Sequence, residues 1–169
     1  MRPPRVSRPP APGWTAPPST EADGRAPVLY VDVDDNSFEQ TSARLRQAYQ
    51  LLRAQKDREA CDLIRDRHRD LVAVLLDVDM PGSVLDGILL TRILRGRVPP
   101  QAVPPFARNL PELDVPIVLV TGRRDSYADA DMRAYGGDRL IQKPVEIHKL
   151  TLTITEWQLL RSDPSHQAR

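Results

Sequence analysis

Acidic residues, a hydroxyl and a lysine each follow a short stretch of this sequence with the residue types of a β-strand. In chain order they are Asp32, Asp34 and Asp35 after 28–31, Asp77 after 71–76, Thr121 after 117–120, and Lys143 after 139–142. Crowded carboxylates repel one another unless a cation or protons intervene, and oxygen ligands suit a hard ion such as Mg²⁺. A hydroxyl and an ammonium beside such an ion suit a phosphoryl group, whose anionic oxygens need positive charge. One carboxylate could then act as a nucleophile and form an aspartyl phosphate.

These residues can meet only if the apolar runs are strands whose carboxyl ends share one edge of a sheet. Apolar runs alternate with amphipathic stretches from residue 28 onward, which is typical of βα units around a parallel sheet. We predict strands at 28–32, 49–54, 71–77, 116–121 and 139–142, and helices at 37–48, 57–68, 86–97, 125–137 and 145–160. Asn36 or Ser37 is the expected cap of the first helix. Ligands of such sheets bind outside the carboxyl ends of the strands.

Composition limits the class of protein. The 169 residues suit one domain, and the net charge of +1 gives no strong field for nucleic acid or membranes. A single cysteine, Cys61, excludes an internal disulfide and fits a reducing cytosol, and no apolar run is long enough to span a membrane. The proline-rich stretch 1–26 predicts a disordered or polyproline-like arm. Six prolines within 98–116 exclude the interior of a helix or strand, so we assign 98–115 to an irregular insert.

Four motifs together resemble the receiver domain of two-component response regulators. They are "LLDVDMPG" at 75–82, "DG" at 86–87, "VTG" at 120–122 and "QKP" at 142–144. The resemblance covers about 28–160. It implies an α/β fold with a doubly wound, flavodoxin-like sheet of five parallel strands in the order 2-1-3-4-5. We therefore expect a receiver domain over 27–161 followed by a disordered tail at 162–169. Because only residues 162–169 follow this domain, we expect a single-domain regulator without its own effector domain.

The resemblance also implies a role for each site residue. Asp77 would accept a phosphoryl group from the phosphohistidine of a sensor histidine kinase or histidine phosphotransferase. Thr121 would hydrogen-bond a phosphoryl oxygen, and Lys143 would pair with the phosphoaspartate. Mg²⁺ would be bound by Asp32, Asp34, Asp35, Asp77 and, through its backbone carbonyl, Asp79. The expected protein is a cytoplasmic signalling module rather than an enzyme. It would act by a conformational shift on a downstream protein, without a nucleic-acid or membrane partner.

Departures from the family pattern leave a second reading open. Receivers usually have two adjacent acids after the first strand, whereas here Val33 separates Asp32 from Asp34. Either Asp32 serves without its neighbour, or the acid pair has shifted to Asp34 and Asp35. Leu140 replaces the aromatic residue that many receivers use as a switch, and the segment between "MPG" and "DG" is two residues longer than usual. Val33, Leu140 and the insert favour a receiver-like module that binds a partner without being phosphorylated, whereas the intact Asp77, Thr121 and Lys143 oppose it.

A phosphatase is the alternative from another class. The stretch "VLYVDVDD" resembles the first motif of haloacid-dehalogenase-type phosphatases, with Asp32 as nucleophile and Asp34 as general acid. The stretch "VLVTGRR" at 118–124 resembles their second motif. The order of residues argues against this reading, because those enzymes place their lysine before a late acidic pair. Here Lys143 follows "GGD", and no such pair comes after it.

Overall fold

The computed structural model of the chain describes residues 24–123 and 127–162. Within these ranges the strands are β1 (Ala26–Val31), β2 (Tyr49–Ala54), β3 (Ala73–Asp77), β4 (Ile117–Thr121) and β5 (Arg139–Gln142). The α-helices are α1 (Asp35–Leu45), α2 (Asp57–Arg67), α3 (Gly87–Leu94), α4 (Asp129–Ala134) and α5 (Ile147–Ser162). The predicted arm up to residue 23, the predicted tail from residue 163, and positions 125–126 of the fourth predicted helix lie outside the described residues.

The five strands form one parallel sheet in the order β2-β1-β3-β4-β5. The predicted fold class and strand order are therefore confirmed. Val31 pairs with Leu76, and Asp77 at the end of β3 pairs with Val120 of β4. This register brings the ends of β1, β3 and β4 to the same height, so the residues that follow them share one edge of the sheet.

Helices cover both faces of this sheet. Successive strand residues point to opposite faces, so Val28 and Tyr30 pack with α1 and α5, whereas Leu29 and Val31 pack with α2 and α3. Both faces of β3 are covered, and all five of its residues are buried. A strand buried on both sides reads as a continuous apolar run, which is why β3 was recognisable in the sequence.

The proline-rich insert is a packed part of the domain. It contains two short 3-10 turns, Pro100–Ala102 and Pro105–Ala107, each opening with a proline, whose fixed φ and missing N–H suit that position. Val103, Ala107 and Leu113 are buried in the core on the side of α2 and α3. The irregular structure predicted for this segment is confirmed, and the segment also contributes to the core.

Arg95 connects the end of the insert to the amino-terminal edge of the sheet, which lies opposite the carboxyl ends of the strands. Its guanidinium donates to the carbonyls of Leu113, Val115 and Gly136, and it pairs with Asp138 at 2.6 Å. The Arg95 side chain is only 12% exposed. One side chain therefore connects α3, the insert and the turn before β5.

The predicted cap of the first helix is wrong. α1 is capped by Asp34, whose carboxylate accepts a hydrogen bond of 2.7 Å from the backbone N–H of Ser37. Asp34 has an extended backbone, which lets its side chain reach the N–H groups of the first turn.

No α-helix in the ranges 24–123 and 127–162 is both long and apolar enough to cross a membrane.

Candidate functional site

Lys143 binds two buried carboxylates at the carboxyl edge of the sheet. Its Nζ lies 2.6 Å from Oδ2 of Asp77 and 2.8 Å from Oδ2 of Asp32. The Asp32 side chain has no exposed surface, and that of Asp77 is 7% exposed. The three groups come from the ends of β1, β3 and β5, so only the folded sheet brings them together.

Asp32 is held rigidly by donors from its own segment. The hydroxyls of Tyr30 and Ser37 donate to its Oδ2 at 2.7 and 2.6 Å, and the backbone N–H of Asp34 donates to its Oδ1 at 2.9 Å. With the ammonium of Lys143, four donors surround this carboxylate, which is about the number that a carboxylate can accept. Asp32 is therefore the acid of the first strand end that belongs to the site.

The other two acids after β1 make different contacts. The Asp34 carboxylate caps α1, and Asp35 pairs with Arg53 at 2.5 Å on a surface where the Asp35 side chain is 75% exposed. Asp35 also accepts a hydrogen bond from the amide of Gln55. The structure thus brings together Asp32, Asp77 and Lys143 but not Asp34 or Asp35.

The backbone around Asp77 is tightly packed. The N–H of Asp79 donates to Oδ1 of Asp77 at 3.1 Å, and the N–H of Gly87 donates to the carbonyl of Val78 at 3.3 Å. A Cβ on Gly87 would lie 2.2 Å from the carbonyl oxygen of Asp77. Only glycine permits this close approach, which explains the glycine of the "DG" motif.

Thr121 and the side chain of Asp79 face the loop after β4. The Thr121 hydroxyl accepts a hydrogen bond of 3.0 Å from the N–H of Arg123, and Thr121 is buried. The Asp79 carboxylate contacts the hydroxyl of Tyr127 at 3.4 Å and the Arg123 Nε at 3.8 Å. Thr121 adjoins Val120, which pairs with Asp77, so this loop borders the buried carboxylates.

Burial and pairing shift the pKa values of the three central groups in different directions. Burial raises the pKa of Asp77 and outweighs its hydrogen bond from Lys143. Burial would also raise the pKa of Asp32, but hydrogen bonds from Lys143, Ser37 and Tyr30 together lower it. Burial opposes the charge of Lys143, yet the two carboxylates raise the pKa of its ammonium. When all three groups are ionised, two negative charges face one positive charge.

The surplus negative charge makes the pair of carboxylates suitable for Mg²⁺. This ion is usually bound by one or two carboxylates together with waters and phosphate oxygens. The Oδ1 atoms of Asp32 and Asp77 each accept a backbone N–H, whereas their Oδ2 atoms share Lys143. Across the described ranges, no group of three or more His, Cys, Asp or Glu side chains is placed to bind a metal. The carboxylates in the pocket that could bind Mg²⁺ are therefore Asp77, which has two donors, and Asp32, where the ion would replace one of four donors.

Three residues of the site's surroundings were missed in the sequence. Tyr30 lies two residues before Asp32, and this strand spacing places both side chains on one face. Ser37 was considered only as a helix cap, although its hydroxyl binds Asp32. Asp57 is 3% exposed and accepts the backbone N–H groups of Val84 and Leu85. Of these three residues, only Tyr30 could have been found from the sequence, through its two-residue spacing from Asp32 along the strand.

Solved structures of receiver domains match this architecture. A response regulator receiver domain protein from Clostridium thermocellum superimposes with a TM-score of 0.61 at 17% identity, over 81% of this chain and 97% of that chain. The receiver domain of the Francisella response regulator 1452 gives 0.59 at 20% identity, over 82% of this chain and all of that chain. The chain has the receiver fold.

A longer protein contains the same fold. NtrX from Brucella abortus matches with a TM-score of 0.63 at 22% identity over 82% of this chain. This chain spans 28% of the length of that NtrX chain. No protein-family model and no curated protein matches the sequence. At these identities the likeness concerns the receiver fold, and function must be argued from the site.

Proposed function

We propose that this chain is a single-domain response regulator of a two-component phosphorelay. Asp77 is the phosphoacceptor, and the donor is the phosphohistidine of a sensor histidine kinase or histidine phosphotransferase. One observation carries the proposal: Nζ of Lys143 binds Asp77 at 2.6 Å and Asp32 at 2.8 Å in a buried pocket at the carboxyl edge of the sheet. An ammonium beside two carboxylates, one of them the candidate nucleophile, supports a site that accepts a phosphoryl group.

In the proposed transfer, a carboxylate oxygen of Asp77 attacks phosphorus. The phosphorus–nitrogen bond of the phosphohistidine breaks, the imidazole nitrogen keeps the bonding electrons, and an acyl phosphate forms on Asp77. Bound Mg²⁺ would neutralise charge on the phosphoryl oxygens. Lys143 stays between Asp32 and the new phosphoryl oxygens, so its positive charge compensates the added negative charge. The rigidly held Asp32 keeps this ammonium in place.

The proposed output is a shift of the loop after β4. A phosphoryl group adds strong acceptor oxygens to the pocket, and the Thr121 hydroxyl can donate to one only by giving up its 3.4 Å hydrogen bond to the carbonyl of Arg123. The same loop contacts Asp79 through Arg123 and Tyr127. Phosphorylation would therefore rearrange these contacts and change the surface offered to a downstream protein in the cytoplasm. The chain would act as a binding module rather than as an enzyme.

Two alternative functions were suggested by the sequence. A receiver-like module that is never phosphorylated is favoured by Val33, by Leu140 in place of the aromatic switch, and by the packed insert. The phosphatase reading needs Asp32 as nucleophile, but Asp32 is fully buried and occupied by four donors. It therefore cannot reach a phosphate ester without rearrangement of the site.

Phosphorylation by a small donor tests the proposal. The protein is incubated with Mg²⁺ and acetyl phosphate, and intact mass is measured before and after mild base. We expect one base-labile phosphoryl group on the wild type and on Asp35→Asn, and none on Asp77→Asn. An unlabelled wild type, under conditions that label another receiver, would leave the non-phosphorylated module as the function. Label on Asp77→Asn would mean that another carboxylate is the acceptor.

Mg²⁺ titration tests the assignment of the acids. Asp32→Asn should weaken Mg²⁺ binding, because it removes one of the two carboxylates in the pocket. Asp35→Asn should not, because the Asp35 carboxylate faces Arg53 on the surface. Asp34→Asn is the informative comparison, since asparagine caps helices about as well as aspartate. A loss of Mg²⁺ affinity in Asp34→Asn equal to that in Asp32→Asn would show that the acid pair has shifted.

A further inference from the structure

Asp57 is a buried acid near the proposed phosphoacceptor site, and the proposed transfer does not use it. It is the first residue of α2, it is 3% exposed, and α2 begins at the edge of the sheet where β1 and β3 end. The backbone N–H of Arg58 donates to its Oδ1 at 2.9 Å. The N–H groups of Val84 and Leu85 donate to its Oδ2 at 2.8 and 2.9 Å. The Asp57 carboxylate therefore accepts three backbone amide hydrogen bonds at the N-terminus of α2.

Val84 and Leu85 belong to the loop of residues 78–86, which connects β3 to α3. The sequence places two residues more than the usual receiver number between Gly82 and Asp86. The N–H of Ser83 returns to the carbonyl of Met80 at 3.1 Å. With Pro81 second and Gly82 third at φ +78°, this segment has the signature of a type II turn. The turn divides the loop into two limbs. The inner limb, residues 78–80, lies beside Asp77, and the outer limb, residues 83–86, leads to α3.

The outer limb needs an acceptor from outside the loop. Leu85 is fully buried, and a buried backbone N–H without a partner is strongly unfavourable. Asp57 supplies that acceptor for two consecutive amides, so it fixes the direction in which the limb enters α3. The neighbouring Val84 remains 64% exposed, which shows that the contact with Asp57 is made through the backbone of the limb.

The inner limb carries the groups that the proposed chemistry requires. The N–H of Asp79 orients Oδ1 of Asp77, and the Asp79 carbonyl is the proposed backbone ligand of Mg²⁺. The two limbs meet again where the N–H of Gly87 donates to the carbonyl of Val78. A displacement of the outer limb therefore reaches the backbone on both sides of Asp79.

We propose that Asp57 is a positioning residue for phosphoryl transfer, which anchors the lengthened loop of residues 78–86 and thereby orients Asp79 and Asp77. This inference rests on the proposed function of Asp77. Under this proposal, α2 contributes to phosphoryl transfer through Asp57, although no residue of α2 contacts the phosphoryl group. Partners that orient metal ligands from outside the coordination shell typically change metal affinity by about 10- to 100-fold when they are mutated.

Mg²⁺-dependent labelling by acetyl phosphate tests the proposal. We expect Asp57→Ala to raise the Mg²⁺ concentration needed for half-maximal labelling by about tenfold or more, while the wild type labels fully. The matched control is Glu59→Gln in the same helical turn, where the carboxylate accepts only the N–H of Gln55 among the described residues. It should label like the wild type. A purely structural role would lower the unfolding temperature of Asp57→Ala and leave its Mg²⁺ dependence unchanged at temperatures where it is folded, and that result would overturn the inference.

Two further measurements decide the matter if Asp57→Ala does not fold. Asp57→Asn keeps one acceptor oxygen for the outer limb, so it should fold and show a smaller increase in the Mg²⁺ requirement. In the wild type, hydrogen exchange measured by NMR should show protected N–H groups at both Val84 and Leu85, although Val84 is exposed. Rapid exchange of both amides, or wild-type Mg²⁺ dependence in Asp57→Asn, would contradict the proposal. An unlabelled wild type would instead refute the proposed function of Asp77.

Discussion

The charge surplus at the site predicts that Asp77→Asn is more stable than the wild type when Mg²⁺ is absent. In the folded protein, burial raises the pKa of Asp77 even though Lys143 binds it. The ionised form of Asp77 therefore costs stability at neutral pH, and the cost appears as the pH rises from the unfolded pKa through the raised folded value. Asparagine resembles the protonated carboxyl in shape and charge, so this substitution removes the cost.

The direction of the effect follows from linkage, and its size from the usual gain when an unfavourable group is replaced. Such substitutions commonly add about 0.5 to 2 kcal/mol, so we expect Asp77→Asn to be more stable by on the order of 1 kcal/mol at neutral pH. For a domain of this size, such a change raises the unfolding temperature by about 3 to 5 °C. Lys143 keeps Asp32 as its partner in the variant, so the substitution leaves no buried ammonium unpaired.

Thermal and urea unfolding in EDTA and in Mg²⁺ measure this difference. A bound ligand stabilises the state that binds it, so Mg²⁺ should stabilise the wild type more than Asp77→Asn and reduce or reverse their order. Asp35→Asn, in which the carboxylate is 75% exposed, is the matched control and should change stability by less than about 0.5 kcal/mol. If Asp77→Asn is no more stable than the wild type in EDTA while the control behaves as expected, the charge argument is refuted.

Three other substitutions distinguish residues that stabilise the site from one that stabilises the fold elsewhere. Lys143→Met leaves Asp32 and Asp77 buried without their cation, so we expect a loss of about 3 kcal/mol at neutral pH, smaller at acidic pH, in urea unfolding at both pH values. Tyr30→Phe removes a donor to an ionised carboxylate and should cost about 1.5 kcal/mol in the same assay. Arg95→Met leaves buried carbonyls unpaired far from the site, so it should cost at least about 3 kcal/mol. Labelling of folded Arg95→Met by acetyl phosphate should remain unchanged.

The sequence was sufficient for the parts of the fold that depend on local pattern. β3 is a continuous apolar run because both its faces are buried, and such a run ending in an acid indicates a central strand. The prolines of the insert predicted irregular backbone because proline cannot sit inside a helix or strand. The burial of Val103, Ala107 and Leu113 could not be predicted, since it depends on how that segment meets α2 and α3.

The roles of the three acids after β1 could not be assigned from their order. The sequence places Asp32, Asp34 and Asp35 within four positions, but the backbone turns sharply between the end of β1 and the start of α1. Asp32 points into the pocket, Asp34 turns back onto the N–H of Ser37, and Asp35 faces Arg53. The turn, rather than the residue type, decides which carboxylate faces Lys143.

The placement of Asp34 and Asp35 also bears on the strength of the proposed metal site. If all three acids entered the pocket with Asp77, four negative charges would face one ammonium, and the repulsion would be severe without a bound cation. With only Asp32 and Asp77 inside, Lys143 neutralises half of the charge, and the sheet can form before any ion binds. The single remaining charge still favours Mg²⁺. When a phosphoryl dianion then enters the pocket, the positive charges of Mg²⁺ and Lys143 can balance its negative charge.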